Sequence, residues 1–402
     1  MLLQPYRSRP SILRWPAHAW AVLILLACCL PACAGSGLAA PTPTAAPSLT
    51  TAPSATPTVT LTPTPPPTAT PSPTPTVTPT LTPTLSPRAI TAVTADRLEP
   101  VLVLEGHRGY VFGVAVSANG QLIASACGDR LVRVFDGESG ELLHTLERHR
   151  SLVYTVAFSP DGTRLISGGR DRTVQLWNPL TGERIGGSRT SGEVAQVAFS
   201  PDGRRFAGAG YYSAIGEVWE AESGASLFLL EGHHTRLRSV AWSVDGRWLA
   251  SGDEAGVIVL RDAVSGAPVE TFEAVQGEAV ALAFSPDGEM LAVGSDRGSV
   301  ALWSLDGLRP EGVWMPHRGG VSGLVYSPDG SLLISAGRDG AIRLWDAARL
   351  PGVEGGPALD RRLASYGRHG APVRSLAISR DGSTLVSGGD DARVLVWRLP
   401  DG

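Results

Sequence analysis

Histidine is the first residue type to test for catalysis or metal binding in this sequence, since imidazole serves both purposes near neutral pH. The chain has eight histidines. Five of them recur at steps of 42 residues or a multiple of it, with a last step of 52: His107, His149, His233, His317 and His369. His18 belongs to an N-terminal apolar segment, and neither His144 nor His234 has a second ligand at the spacing of a metal site. The regular spacing indicates a structural role, so we predict no metal and no cofactor.

Other catalytic motifs are missing from the sequence as well. It contains no Gly-x-Ser-x-Gly, His-Glu-x-x-His, P-loop or calcium-loop pattern. All 34 basic residues are arginine, which removes Schiff-base chemistry and the phosphate-binding lysine of a P-loop. Cys127 stands alone among apolar residues, which favours an inert core thiol. We therefore predict that the protein is not an enzyme.

The composition changes sharply along the chain. Residues 41–87 contain 15 prolines and 17 threonines, and the first acidic residue is Asp96. A segment of this kind cannot bury a core, so we predict a disordered linker over 34–88 and a globular domain over 89–402. After residue 87 the chain has 31 arginines against 38 acidic residues. This negative balance argues against a nucleic-acid partner, which requires a basic surface.

The N-terminus has the features of an export signal. Three arginines precede the apolar run 17–30, which is shorter than the roughly 20 residues of a membrane-spanning helix. The sequence "LPAC" at the end of this run resembles the lipobox of bacterial lipoproteins, with Leu30, Ala32 and Cys33 at matching positions and Pro31 departing from them. The resemblance implies a signal over 1–33 and a lipid on Cys33 as the sole membrane attachment.

Two alternatives to a lipoprotein signal stay open, namely a secretory signal cut near "ACA" (32–34) and an uncleaved short anchor. All three place the rest of the chain outside the cytoplasm, either anchored to a bacterial envelope or secreted. Proline-rich chain extends by about 3.1 Å per residue, so roughly 50 residues span on the order of 150 Å. The linker is therefore expected to act as a stalk.

One short turn recurs seven times after this linker. "AFSPDG" or a variant of it stands at 115–120, 157–162, 198–203, 241–246, 283–288, 325–330 and 377–382. The residues that end the apolar strand after each turn keep steps of 42 and a last step of 52: Phe135, Trp177, Trp219, Arg261, Trp303, Trp345 and Trp397. A period of 40–45 residues is typical of a four-stranded propeller blade. An insertion near 351–360 explains the longer last step.

The local sequence of a unit agrees with a blade. Residues 152–159 alternate like a half-buried strand, and Pro160 and Gly162 then supply the backbone angles of a hairpin turn. Residues 164–169 and 173–178 read as the next two strands, with a tight turn between them. "AFSPDG" is therefore predicted to be the hairpin between the first and second strands, and seven copies predict seven blades.

The chain resembles the WD-repeat (tryptophan–aspartate repeat) β-propellers in the sequences "EGH" (105–107, 231–233), "SGGRDRTVQLW" (167–177) and "SAGRDGAIRLWD" (335–346). The resemblance implies an all-β, seven-bladed propeller of four-stranded antiparallel blades. Its repeats lie near 104–136, 146–178, 187–220, 230–262, 272–304, 314–346 and 366–398. Because only five residues follow Trp397, we expect the strand 100–106 to complete the last blade and close the ring.

In that family a complete blade buries a hydrogen-bonded tetrad of His, Ser or Thr, Asp and Trp. The matching residues here are His149, Ser167, Asp171 and Trp177 in repeat 2, His317, Ser335, Asp339 and Trp345 in repeat 6, and His369, Ser387, Asp391 and Trp397 in repeat 7. Repeat 1 has His107, Ser125 and Asp129 but Phe135 for Trp. Repeats 3 to 5 lack members, and repeat 4 combines His233 and Ser251 with Ala255 and Arg261. We expect blades 3 to 5 to be less rigid and to pack on aliphatic side chains.

The top face of such a propeller carries the loop before each first strand and the turn before each third strand. Counting from the histidine positions places ten residues there: Tyr110, Phe112, Leu152, Tyr154, Arg170, Arg236, Arg238, Arg338, Arg374 and Asp390. Aromatic residues and arginine dominate the energetics of protein interfaces. We predict a non-catalytic scaffold that binds a protein or peptide partner at this face. The alternative is an extracytoplasmic enzyme or a sugar- or small-ligand-binding propeller that uses its central channel.

Overall fold

The computed structural model describes residue 86 and residues 88–350 and 362–400. The predicted signal (1–33) with Cys33, nearly all of the predicted linker and the predicted insertion near 351–360 lie outside the described residues. Among the described residues, no helix is both long and apolar enough to cross a membrane.

The first elements of the described chain are a 3₁₀ turn at Ala95–Arg97 and the strand β1 (Glu99–Leu104). The described residues form 28 strands, which pair into seven antiparallel sheets of four strands each. Blades 1 and 2 consist of β2 (Val111–Val116), β3 (Leu122–Cys127), β4 (Val132–Asp136), β5 (Leu142–Leu146), β6 (Val153–Phe158), β7 (Leu165–Gly169), β8 (Thr173–Trp177) and β9 (Arg184–Arg189). Blades 3 and 4 consist of β10 (Glu193–Phe199), β11 (Arg205–Tyr211), β12 (Gly216–Glu220), β13 (Ser226–Leu230), β14 (Leu237–Trp242), β15 (Trp248–Asp253), β16 (Val257–Asp262) and β17 (Pro268–Glu273).

The remaining blades close the ring. Blades 5 and 6 consist of β18 (Ala279–Phe284), β19 (Met290–Ser295), β20 (Val300–Ser304), β21 (Arg309–Trp314), β22 (Val321–Tyr326), β23 (Leu332–Gly337), β24 (Ile342–Asp346) and β25 (Arg362–Tyr366), with a 3₁₀ turn at Ala347–Arg349. Blade 7 consists of β26 (Val373–Ile378), β27 (Leu385–Gly389), β28 (Val394–Arg398) and, as its outermost strand, β1. The pairing of β1 with β28, for example Val103 with Leu395, confirms the predicted closure and the predicted seven-bladed fold.

The seven recurring turns share one hydrogen-bond pattern, which explains why the sequence repeats them. In blade 2 the hydroxyl of Ser159 donates to Asp161 Oδ1 at 2.5 Å, and the N–H of Thr163 donates to the same oxygen at 3.0 Å. Gly162 has a φ of 71°, a left-handed conformation that costs glycine little. The turn therefore joins the inner strand to the second strand with its backbone groups satisfied.

The hydrophobic core lies between neighbouring blades. One cluster, for example, joins Ala124 and Val134 of blade 1 to Val153, Val156 and Leu165 of blade 2. The second strands are buried on both faces, whereas the outermost strands expose most of their side chains. Each blade thus stabilises the next, and the inner strands are held around a central channel with their first residues toward the top face.

Candidate functional site

Blade 2 contains a continuous hydrogen-bonded tetrad. Trp177 Nε1 donates to Ser167 Oγ at 2.9 Å, and Ser167 Oγ lies 2.8 Å from His149 Nε2. His149 Nδ1 lies 3.0 Å from Asp171 Oδ2. Because the carboxylate can only accept, His149 donates from Nδ1 and accepts the serine proton at Nε2. The same three contacts, at 2.8–2.9 Å, join the tetrads of blades 6 and 7: His317, Ser335, Asp339, Trp345, His369, Ser387, Asp391 and Trp397.

The ionisation of these tetrads fits a structural role. Burial lowers the pKa of His317 and of His369, against the opposing effect of the neighbouring aspartates. Burial also opposes ionisation of Asp171, but its interactions with His149 and the hydrogen bonds from Arg150 and Thr173 together outweigh burial and lower the pKa of that carboxyl to about 2. In blade 6 the neutral imidazole of His317 therefore bonds the ionised carboxylate of Asp339, whose pKa is also lowered.

Blade 1 departs from the pattern. His107 Nε2 lies 2.8 Å from Ser125 Oγ, but Asp129 binds the guanidinium of Arg133 at 3.2 and 2.7 Å. Within the described residues His107 Nδ1 is buried without a hydrogen bond. Burial, followed by the charge of Arg133, lowers the pKa of His107 to about 4. Phe135, in place of Trp, packs against the imidazole with ring centroids 5.9 Å apart.

Blade 4 corrects the prediction that its tetrad would lack the acid. His233 Nδ1 lies 3.0 Å from Asp253 Oδ2, and His233 Nε2 lies 2.8 Å from Ser251 Oγ. Asp253 ends the second strand two residues before Ala255, the position at which blades 1, 2, 6 and 7 carry their aspartate. Its carboxylate also accepts the N–H groups of Ala255 and Val257. The buried Arg261 replaces Trp and donates to the carbonyl oxygens of Glu231 and Gly266.

Blades 3 and 5 were expected to pack on aliphatic side chains. Their tryptophans instead also contact aromatic rings. Trp219 stacks on Phe206 with centroids 5.1 Å apart, and Trp303 lies 4.4 Å from Phe272. No serine hydroxyl receives the indole N–H of Trp303, which has no partner among the described residues. Ring packing substitutes for the hydrogen-bonded tetrad in these two blades.

The top face carries a row of five aromatic rings, which we call the aromatic row: Tyr110, Phe112, Tyr154, Tyr211 and Tyr212. The centroid separations along the row are 6.1, 5.4, 6.0 and 4.5 Å, and three of the four contacts are edge-to-face. The end residues Tyr110 and Tyr212 are 52% and 58% exposed, whereas the middle residues are half-buried. The row crosses blades 1, 2 and 3 and offers apolar surface with phenol groups at its rim.

Arginines extend the row onto blade 4. The guanidinium carbons of Arg236 and Arg238 lie 4.5 Å from the ring centroids of Tyr212 and Tyr211. Burial, followed by the charge of Glu193, raises the pKa of Tyr154 to about 12, so its phenol stays protonated and lies 3.4 Å from Glu193 Oε2. The row therefore joins predicted top-face residues of blades 1, 2 and 4 through two tyrosines that the prediction omitted.

Tyr211 was missed because blade 3 has two compensating changes in register, whereas Tyr212 stands at the counted position, 21 residues after 191, in a repeat without a histidine. The turn sequence "AFSPDG" at 157 and 198 is 41 residues apart, and the next copy follows after 43. Blade 3 thus loses one residue before its hairpin and gains one in the turn after β11, so the tryptophan spacing of 42 hides both changes. Strand pairing puts Tyr211 opposite Glu193, which brings its ring against Tyr154. The uneven spacing of the hairpins was the available signal.

The other predicted top-face residues divide into paired and unpaired groups. Arg374 forms two hydrogen bonds with Asp390, at 2.7 and 2.6 Å, and these two lie apart from the aromatic row on blade 7. Ion pairs also link Arg170 to Glu193, Arg236 to Glu254, and Arg238 to Glu278. Leu152 is half-buried beside the channel, and Arg338 is exposed at its mouth with no ion pair in the described part of the chain.

The central channel encloses a cavity of about 790 Å³. Its upper wall includes Tyr154, Arg238 and Arg374. Its lower end is formed by the last residue of every inner strand: Val116, Phe158, Phe199, Trp242, Phe284, Tyr326 and Ile378. Five of these seven are aromatic, so the cavity has an apolar floor beneath a polar mouth.

The described residues give no sign of metal or thiol chemistry. They contain no group of three or more His, Cys, Asp or Glu side chains that could hold a metal ion. Cys127 is buried, and burial raises the pKa of its thiol to about 11, so the reactive thiolate is disfavoured.

Comparison with known protein families agrees with this architecture. A family model described as the IFT122 first beta-propeller matches residues 128–353. A second model, described as WD domain, G-beta repeat, matches residues 98–136 and 360–398. The first match covers more than half of the chain, and the second covers the two ends of the propeller where the ring closes.

Two similar proteins are partial matches. The chain is 32% identical over 161 residues to the WD repeat-containing protein SL1-17 of Schistosoma mansoni, across 40% of this chain and 53% of that protein. It is 28% identical over 149 residues to a probable cytosolic Fe-S cluster assembly factor of Schizosaccharomyces japonicus, across 37% of this chain and 18% of that protein. The chain thus spans about half the length of the first relative and less than a fifth of the second.

Proposed function

Because the chain belongs to the WD-repeat β-propeller family, as its match to the IFT122 first β-propeller shows, we propose that it is a non-catalytic scaffold that binds a protein or peptide partner at its top face. The partner contacts the aromatic row and the arginines of blade 4 beside it. Propellers host many functions, so the proposal depends on this surface and not on the fold.

The observation that carries the proposal is the continuous contact of five aromatic rings, of which the two end rings are exposed and the three middle rings half-buried. Scattered aromatic residues on a surface need no explanation, but a contiguous set with arginine stacked at one end is the composition of an interface centre. The half-buried rings of Phe112 and Tyr154 are held by their neighbours, so little side-chain entropy remains to be lost on binding.

The proposal extends to where the scaffold works. The apolar run 17–30, the "LPAC" sequence and the Pro/Thr-rich segment support display outside the cytoplasm on a stalk, with Cys33 as the lipid-bearing residue. Metabolic labelling with an alkyne fatty acid in a bacterial host tests this part. Labelling of the full chain and its loss in Cys33→Ala supports lipidation, whereas equal labelling of both chains contradicts it.

The partner is tested by crosslinking in the cell envelope followed by mass spectrometry. The full chain is compared with Tyr110→Ala/Tyr154→Ala and with a control, Arg247→Ala/Trp248→Ala. The control removes an aromatic side chain and an arginine next to the hairpin at the opposite end of blade 4. These two form a cation–π pair with a separation of 4.5 Å, the same as in the pairs Arg236–Tyr212 and Arg238–Tyr211. We expect a protein crosslinked to the wild type and the control but lost from the aromatic-row variant. A crosslinked set that is the same for all three chains contradicts the proposal.

A small ligand in the central channel is the second candidate, and the aromatic floor of the cavity favours it. Its volume of about 790 Å³ is within the range of roughly 300–1,000 Å³ for small-molecule sites. A thermal-shift screen of sugars and other small molecules tests it, with Trp242→Ala as the matched variant. A stabilising compound that loses its effect in Trp242→Ala supports channel binding, and a screen without any stabilising compound rejects it.

A further inference from the structure

A second concave surface lies on blade 1 beside blade 2, with a volume of about 880 Å³. It is lined by the turn after β3, the loops before β2 and β6, and residues of β5, and we call it the basic pocket. Three exposed arginines stand in it, Arg108, Arg130 and Arg148. None of the three side chains has an ion-pair partner among the described residues, whereas the blade 4 arginines Arg236 and Arg238 are paired with acids.

The acids of the basic pocket leave its positive charge in excess. Asp129 forms two hydrogen bonds with Arg133. Burial opposes its ionisation, but the hydrogen bonds from Arg133, Arg108 and Cys127 and the charge of Arg133 together outweigh burial and lower its pKa to about 2. Glu147 is the other carboxylate of the pocket, and it is exposed. The opposite charges of Asp129 and Arg133 cancel each other. A single free carboxylate, that of Glu147, therefore faces the three arginines Arg108, Arg130 and Arg148. An anion bound here would meet three guanidinium groups in a concave site.

The turn that carries Arg130 has the same backbone conformation in most blades. Arg130 has a φ of 74°, in the left-handed region. The corresponding residues of five other blades also have positive φ: Arg172, Gly256, Gly298, Gly340 and Ala392. The turn therefore fixes the backbone from which the side chain of Arg130 extends into the basic pocket.

The basic pocket adjoins the aromatic row. The turn that carries Asp129 and Arg130 begins at Gly128, and a Cβ at Gly128 would lie 3.3 Å from the ring of Phe112. Gly128 N donates to the carbonyl oxygen of Tyr110 at 2.9 Å. One side of the turn thus rests on the aromatic row and the other lines the basic pocket, so one extended peptide can reach both.

We propose that the basic pocket binds an acidic segment of the partner, rich in Asp or Glu, while the aromatic row takes an apolar side chain next to it. This inference rests on the proposed function of the top face and adds the chemical class of the partner. Guanidinium groups match carboxylates in geometry and charge. A nucleic acid is disfavoured because it needs a basic track that continues along many phosphates, and the chain is acidic after residue 87.

The test is fluorescence anisotropy on the full chain with three labelled probes: a ten-residue peptide of Glu with one central Tyr, the same peptide with Gln for Glu, and a single-stranded oligonucleotide of equal charge. We expect the Glu peptide to bind at least about tenfold more tightly than the Gln peptide, and salt to weaken it. Equal affinity for the two peptides, or tighter binding of the oligonucleotide, overturns the inference.

Matched variants assign the binding to the basic pocket. Arg108→Ala/Arg130→Gly/Arg148→Ala removes the three charges and is expected to lose about tenfold or more in affinity for the Glu peptide. The control Arg189→Ala/Arg204→Ala/Arg309→Ala removes three exposed arginines elsewhere and is expected to bind as the wild type does. Equal loss in both triple variants contradicts a specific site.

Glu147→Gln gives a gain that a damaged fold cannot mimic. Removing the free carboxylate of the basic pocket is expected to raise the affinity for the Glu peptide about two- to threefold. An unchanged or lower affinity counts against the inference. The crosslinking experiment separates this inference from the proposed function. A partner lost with Tyr110→Ala/Tyr154→Ala but kept by the triple arginine variant upholds the top-face scaffold and rejects the acidic segment.

Discussion

Asp129 binds Arg133 and not His107. The two oxygen–nitrogen distances are 3.2 and 2.7 Å, and the imidazole Nδ1 that bonds to aspartate in blades 2, 4, 6 and 7 is left without a hydrogen bond. Blade 2 carries Gln175 at the position of Arg133 and keeps the contact from His149 to Asp171 at 3.0 Å. Blade 6 carries Arg343 at this position, but there a single guanidinium nitrogen contacts Asp339, and the contact from His317 to Asp339 is kept at 2.8 Å. The bidentate pairing with Arg133 thus distinguishes blade 1, and the same turn carries Arg130 into the basic pocket.

Arg133→Gln is expected to return Asp129 to His107. The substitution removes the charge that disfavours a protonated imidazole and frees the carboxylate to accept from Nδ1. The pKa of His107 should therefore rise from about 4, as measured by NMR titration of the histidine side chains. Arg184→Gln is the control, because Arg184 bonds to Gln175 in blade 2 and should leave His107 unchanged. A pKa that does not move in Arg133→Gln contradicts this account.

Stability is expected to fall as the pH decreases from about 6.5 to about 4. His107 has a pKa of about 4 in the folded chain and 6.5 as a free side chain, so the unfolded chain binds more protons in this window. One pKa unit corresponds to about 1.4 kcal/mol, so full protonation costs about 3 kcal/mol at this residue. The lowered pKa of His317 and of His369 acts in the same direction, while Asp171, at about 2, loses its contribution only at lower pH.

Urea unfolding at pH 7, 5.5 and 4.5 measures this dependence. The variant His107→Asn is expected to show a shallower fall of the unfolding free energy with decreasing pH than the wild type, whatever its stability at pH 7. Parallel curves for the two chains would mean that His107 does not carry the effect.

The fold was predictable because its determinants are local and repeated. Each hairpin needs a serine, an aspartate or asparagine and a glycine at fixed spacing, and these residues recur seven times in the sequence. The closure by β1 followed from the count of strands. The tetrads of blades 2, 6 and 7 followed from the family pattern, since their residues keep the same positions in each repeat.

The rest depended on contacts that spacing does not encode. Asp253 occupies a strand position at which other blades have glycine or another residue, and only the folded hairpin brings it to His233. The position of Tyr211 depends on two changes in register that cancel in the spacing of the tryptophans. Whether Asp129 accepts a hydrogen bond from His107 or from Arg133 depends on side-chain geometry across a turn. These three features arise from tertiary contacts, and two of the three contribute to the proposed top-face surfaces.

Asp253→Ala is expected to destabilise the propeller by about 2–3 kcal/mol. The change leaves a buried imidazole and two backbone N–H groups without their acceptor, each of which costs free energy when unsatisfied. Glu254→Ala is the matched control, because its carboxylate makes only a 3.6 Å ion pair with the exposed Arg236 and should change stability by less than about 1 kcal/mol. Urea unfolding at pH 7 measures both, and equal losses would show that Asp253 is not a member of the blade 4 core.

Tyr366→Phe is expected to loosen the closure of the ring. The phenol of Tyr366, on β25, donates to the carbonyl oxygen of Ala95 at 2.5 Å and accepts the N–H of Leu98 at 3.2 Å. Both partners are buried and immediately precede β1, while the ring of Tyr366 packs 5.6 Å from Trp397 of blade 7. One hydroxyl thus ties the segment that leads into the closing strand to the outer strand of blade 6.

The loss of that hydroxyl leaves a buried donor and a buried acceptor unpaired, so we expect the unfolding free energy to drop by about 1–3 kcal/mol. Hydrogen exchange should accelerate first in Leu98–Leu104 and in the partner strand β28, with little change in the second strand of blade 3, because opening at the seam releases only that pairing. Tyr326→Phe is the control: its phenol lies in the central channel and has no hydrogen bond with another described residue, so its removal should leave exchange at the seam unchanged. Uniform acceleration around the whole ring in Tyr366→Phe would show that the seam does not open independently of the other blades.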